Sequence, residues 1–135
     1  MLADVTAKLA ALGIVTGDMA RAVAFYRELG VDVADPDGGA DHHEATLPNG
    51  LRVMWDTVEM MRKLDPEWTQ PQGHAIALAF ECESPDEVNE TYARVTRAGF
   101  HGKTEPFDAF WGQRYATLLD PDDNAVDLFA ALDTG

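Results

Sequence analysis

Four aromatic side chains, Phe107, Phe110, Trp111 and Tyr115, fall in one short stretch near the end of the chain, and Trp55 and Trp68 bracket a segment in its middle. Flat, rigid aromatic faces suit stacking against a planar ligand, and carboxylates such as Asp56 and Asp127 can receive the amine or hydroxyl donors of such a molecule. Trp111 belongs to Phe110-Trp111-Gly112, which reads as a loop tip, where an indole has the least structural purpose; it is the best single candidate for a ligand contact. Trp55 alternates with Leu51 and Val53 and reads as core instead. The histidines are less promising. His42 and His43 are neighbours that must point to opposite faces of a strand, and His101 lies beside Gly102 and Lys103. All three read as exposed or singly hydrogen-bonded. Cys82, the lone cysteine, ends an apolar strand and reads as a buried thiol in a reducing compartment.

The elements that must position these groups form a repeated plan. Residues 9–15 are strand-like and lead through Thr16-Gly17-Asp18 into a helix with an apolar stripe of Met19, Ala22, Val23, Tyr26 and Leu29, which stops at Gly30. After the midpoint, residues 75–82 are strand-like, and Ser84 with Glu87 forms a capping box around Pro85. A second helix with the stripe Val88, Tyr92 and Val95 then ends at Gly99. Each helix is followed by a short strand and then by two strands joined at a turn, Pro48-Asn49-Gly50 in one half and Asp122-Asp123-Asn124 in the other. The unit is βαβββ, used twice: residues 9–56 and 74–132, joined by 57–73, within one domain spanning 1–135. The joining segment opens as a short helix over 58–64, and its Trp68 is expected to be buried against the sheet or a ligand. One such unit covers only one face of its sheet, so two must pair, and their uncovered faces make a cleft. The fold class is α+β with mixed curved sheets.

Composition bounds the partners. Ten Lys plus Arg against 24 Asp plus Glu gives a net charge of −14, which repels phosphate backbones and anionic lipid and argues against nucleic-acid or membrane binding. No apolar run is long enough to span a bilayer, and residues 1–11 lack the pattern of a signal peptide, so a cytoplasmic protein is expected.

Four runs carry a family resemblance: residues 12–19 (LGIVTGDM), 24–27 (AFYR), 112–115 (GQRY) and 120–128 (DPDDNAVDL). They resemble the vicinal-oxygen-chelate superfamily of glyoxalases, ring-cleaving dioxygenases and bleomycin-resistance proteins. The resemblance covers both halves and implies the paired βαβββ fold, a homodimer, and in the enzymes a divalent metal held by His, His and Glu. Here the matching positions read Ala11, Ala77, Met54 or Asp56, and Asp127, a poor donor set for a transition metal. His74 has the parity of Ile76, Leu78 and Phe80, the face expected to pack on the helix. Two further runs, 55–59 with 65–68 (WDTVE, DPEW) and 111–116 (WGQRYA), resemble the mitomycin-resistance protein and its drug-binding relatives. That likeness implies stacking by Trp111, with Trp68 and neighbouring aromatics as further contacts. The expected function is metal-independent binding of an antibiotic-like planar molecule, with no cofactor. The alternative is a metal-dependent lyase, isomerase or thiol transferase built on His74, Asp56 and Asp127. A blander reading is a protein that acts only through dimerisation.

Overall fold

Helix-forming runs with well-defined caps set the frame of both halves. The computed structural model describes residues 7–71 and 76–132. Strand β1 (Ala11–Thr16) enters helix α1 (Met19–Glu28) through Asp18, whose side chain accepts from the Arg21 amide, and Gly30 beyond the helix takes φ 98°. Strands β2 (His42–Thr46) and β3 (Arg52–Thr57) follow, then α2 (Val58–Leu64). The second half runs β4 (Leu78–Glu81), α3 (Pro85–Arg97), β5 (His101–Asp108), β6 (Gln113–Leu119) and β7 (Ala125–Ala131). In the capping box at α3, Ser84 accepts from the Glu87 amide as expected. In return the Glu87 carboxylate accepts from the Glu83 amide rather than from that of Ser84.

The first sheet has the order β1-β3-β2 and the second β4-β7-β6-β5. In each, the edge strand entering the helix pairs in parallel and the rest pair antiparallel. The two helices α1 and α3 cover one face of the sheets, and a single core joins both halves: Trp55, Tyr26, Phe25, Leu118, Leu128, Val88 and Val95 are all fully buried. Phe25, absent from the predicted stripe of α1, is as buried as Tyr26 and packs edge-on against it and against Phe100. Among the described residues no helix is long and apolar enough to cross a membrane.

The repeat is less regular than the sequence suggests. The short strand expected after α1 does not form, so the first unit is βαββ among the described residues. Val31 and Val33 are buried as a strand's would be. The carbonyls beside them, however, are taken by side chains: Arg27 Nε and Nη2 donate to the Val33 oxygen, and the His43 ring meets the Ala34 oxygen at 2.8 Å. The first strand begins at Ala11 with Leu9 exposed, and the fifth is shortened to β4, leaving Ile76 exposed rather than packed on the helix. His74, whose parity was at issue, lies outside the described residues.

Candidate functional site

Strand parity divides each sheet into a helix-covered face and an open one. On β7, Val126, Leu128 and Ala130 are buried, which turns Asp127 to the open face. On β6, buried Ala116 and Leu118 do the same for Tyr115 and Thr117. The three meet there: the Tyr115 hydroxyl donates to Asp127 Oδ2 and the Thr117 hydroxyl to Oδ1 at 2.8 Å. Burial, and then this bond, pushes the Tyr115 phenol up to about 12, so it stays a donor at neutral pH. Phe107 stands opposite Tyr115 in the β5–β6 register, and Trp111 packs edge-on against Tyr115, Phe107 and Phe110 at 5.3, 6.4 and 5.0 Å between ring centroids. The four aromatics are divided between strands and turn. Phe107 and Tyr115 are within β5 and β6, and only Phe110 and Trp111 occupy the turn. Phe110 is 96 % exposed and Trp111 49 %, with the indole N–H held by Gln113 Oε1 at 2.8 Å.

The open face of the first sheet carries Met54 and Asp56, since Val53 and Trp55 turn inward. His42, directly opposite Asp56, is exposed, one of the two states expected for it, and meets two carboxylates. Its Nδ1 lies 2.6 Å from Asp56 Oδ1, and its Nε2 lies 3.2 Å from Glu44 Oε2. His43 turns to the other face, and His101 is exposed. The Asp56 bond, foremost, raises the His42 pKa. A raised histidine pKa gives stability that is complete below the unfolded value of about 6.5 and fades as pH climbs through the folded one. The side chain is 42 % exposed. His42→Ala is therefore expected to cost only about 0.2–1 kcal/mol in acid and less in alkali. Urea midpoints at about pH 5.5 and pH 9 check this, and a cost that grows with pH would refute it.

Trp68 is half-buried elsewhere. It lines a cavity of about 570 Å³ between β1 and the β4–β7 edge, together with Leu12, Ile14, Pro71, Leu78 and Asn124. Trp111, Met54, Asp56 and Asp127 do not line this cavity, so the structure distributes the candidate residues over three places: the aromatic face of the second sheet, the polar face of the first, and this cavity. Cys82 is buried, and burial foremost raises its thiol pKa, which keeps it protonated and unreactive.

The run at residues 120–124 proves to be structural. Buried Asp120 accepts the Tyr26 hydroxyl of α1 at 2.8 Å, the amides of Asp122 and Asn124, and the Asn124 side chain, while Asp122 Oδ1 accepts the Gly17 amide. It ties the second half to the start of α1.

Residues 8–128 match the sequence profile of the glyoxalase/bleomycin resistance protein/dioxygenase superfamily. The chain belongs to this superfamily. Among curated proteins none matches significantly. Solved structures share the fold. A superfamily protein from Nocardioides is 22 % identical with a TM-score of 0.76, covering 99 % of this chain and 89 % of that one. A family enzyme from Burkholderia phytofirmans PsJN is 19 % identical with a TM-score of 0.81, covering 93 % and 100 %. A lactoylglutathione lyase from Agrobacterium tumefaciens is 17 % identical with a TM-score of 0.67, covering 95 % and 96 %.

The His, His and Glu set of the superfamily's metal enzymes is not matched among the described residues. Ala11 and Ala77 offer no donor atom, so of the matching positions only Asp56, which already meets His42, and Asp127 carry oxygen donors. No cluster of metal-binding side chains is found among the described residues. Sequence reading missed the His42, Glu44, Arg52 and Asp56 group, although the alternation His-x-Glu on β2 and Arg-x-Met-x-Asp on β3 puts all of them on one face.

Proposed function

We propose that this superfamily member is a metal-independent binding protein for a flat, partly apolar molecule of the antibiotic type, acting as a cytoplasmic homodimer by lowering the free concentration of its ligand. The observation that carries the reading is the open face of the second sheet. There Trp111 and Phe107, 49 % and 39 % exposed, stand beside a Tyr115–Asp127–Thr117 hydrogen-bonded floor. Exposed aromatics rimmed by polar groups mark a binding surface, and the floor offers carboxylate lone pairs to a ligand's amine or hydroxyl. Phe110 at the tip would close over the ligand or meet a second copy. The likeness of residues 111–116 to mitomycin-resistance proteins points the same way. Trp68, Met54 and Asp56 are further contacts in this reading, brought in by the pairing of two copies. The metal-dependent lyase, isomerase or thiol-transferase alternative would need His74, Asp56 and Asp127 to converge, and the alanines at two of the matching positions, Ala11 and Ala77, weigh against it.

The test is calorimetric titration of a panel that includes mitomycin and bleomycin, with and without chelator. Trp111→Ala is expected to weaken binding by about 1–3 kcal/mol, while chelator leaves the wild-type affinity unchanged. Undiminished affinity in the variant would remove Trp111 from the site, and loss of binding in chelator would restore the metal.

A further inference from the structure

In a chain of net charge −14, two cations stand together on the open face of the first sheet and converge on a single oxygen. Glu44 Oε2 accepts from Arg52 Nη2 at 2.7 Å and meets His42 Nε2 at 3.2 Å. The other ring nitrogen of His42 is fixed by Asp56 at 2.6 Å. A ring flanked by carboxylates at both nitrogens favours carrying both protons, so at about pH 6, below the usual histidine value, His42 is an imidazolium. Of the two positive charges, Asp56 balances one and Glu44 the other.

The two carboxylates are not equivalent. Asp56 faces His42 across the strand register and its side chain is 21 % exposed, whereas the Glu44 side chain is 41 % exposed and free to rotate into solvent. Beside this group β1 presents Ala11, Gly13 and Val15 to the same face, directly opposite Arg52, Met54 and Asp56. A Cβ on Gly13 would meet nothing within 4 Å, so the space above the strand is open. Small side chains thus form a shelf next to two converged cations.

We propose that Arg52 and His42 form a carboxylate-binding clamp whose occupant in the free protein is Glu44, and that its ligand is a small molecule with one carboxylate on a flat apolar body lying over Ala11, Gly13 and Val15. The incoming carboxylate takes the place of Glu44 Oε2 and keeps the charge count unchanged, and Glu44 moves to water. Breaking an exposed ion pair costs little, while Asp56 keeps His42 oriented throughout. The clamp lies on the first sheet, shares Asp56 and Met54 with the reading above, and makes no use of Trp111 or Phe107.

Benzoate is the probe, titrated at about pH 6, where His42 is protonated, and followed through the His42 ring signals by NMR. Removing the internal competitor with Glu44→Ala is expected to tighten benzoate binding about two- to fivefold. Adding Arg52→Ala to that variant should abolish the gain, and the cationic isostere benzamidine should show no gain at all. Three results would each overturn the clamp: a Glu44→Ala variant that binds benzoate no better than wild type, including no binding by either; a gain that survives Arg52→Ala; or an equal gain for benzamidine. Because Trp111 is untouched throughout, these outcomes are read independently of the aromatic site.

Discussion

Asp120→Ala is expected to destabilise the fold by about 3–5 kcal/mol, because it strands four donors at once, the Tyr26 hydroxyl buried and the others partly so. Asp120 is 2 % exposed and Tyr26, its partner on α1, is 1 % exposed. The carboxylate accepts four hydrogen bonds, from the Tyr26 hydroxyl, two backbone amides and the Asn124 side chain. Alanine fills none of these roles, and the turn that leads into β7 loses the anchor that holds it against α1. Tyr26→Phe is the graded control. It removes one donor and leaves Asp120 three others, so about 1–2 kcal/mol is expected. Because the two residues share a bond, the double variant should cost less than the sum of the single ones. Denaturant unfolding measures all three, and a cost below about 1 kcal/mol for Asp120→Ala would show that the turn is held by something else. Ligand affinity on the aromatic face should be unchanged wherever the variant remains folded, since neither residue lies on that face.

How much of this was legible in the sequence depends on whether local or cross-strand chemistry decided it. Helix starts at Asp18 and Ser84, and stops at Gly30 and Gly99, are local signals, and they held. The short helix over 58–64 and the inward turn of Trp55 were equally readable from local pattern. The missing strand after α1 was not. Val31-Asp32-Val33 alternates as a strand should, but alternation reports only which side chains are buried, and Arg27 and His43 took the neighbouring carbonyls. The same limit explains the candidate site. The family resemblance pointed to Met54 or Asp56 and to Asp127, while the bond between Tyr115 and Asp127 and the bridge from His42 to Asp56 depend on register across strands. One strand in isolation carries no record of its neighbour's register. Trp68 shows the remaining gap: its segment was expected to fold back over the protein, and it does line a cavity, but that cavity is remote in composition from the cluster around Trp111.

Trp55→Ala is expected to cost about 3–5 kcal/mol, the range for emptying a buried aromatic site. The ring is fully buried, 5.7 Å from Tyr26 between centroids, and paired across the sheet with Ile14 and His43. Phenylalanine should cost less, since it keeps a ring in place and removes an indole N–H that has no hydrogen-bond partner among the described residues. Trp111→Ala supplies the contrast. Its ring is half exposed at a turn, so its removal should change stability by no more than about 0.5 kcal/mol. Thermal or denaturant unfolding of the two variants therefore separates a tryptophan that the fold requires from one whose position the fold does not explain. If Trp111→Ala proved as damaging as Trp55→Ala, the aromatic turn would be part of the core's support, and its exposure would carry no argument for a ligand. If instead Trp111→Ala unfolds like wild type, the exposed indole contributes little to stability, and a binding role becomes the physical reason for keeping it there.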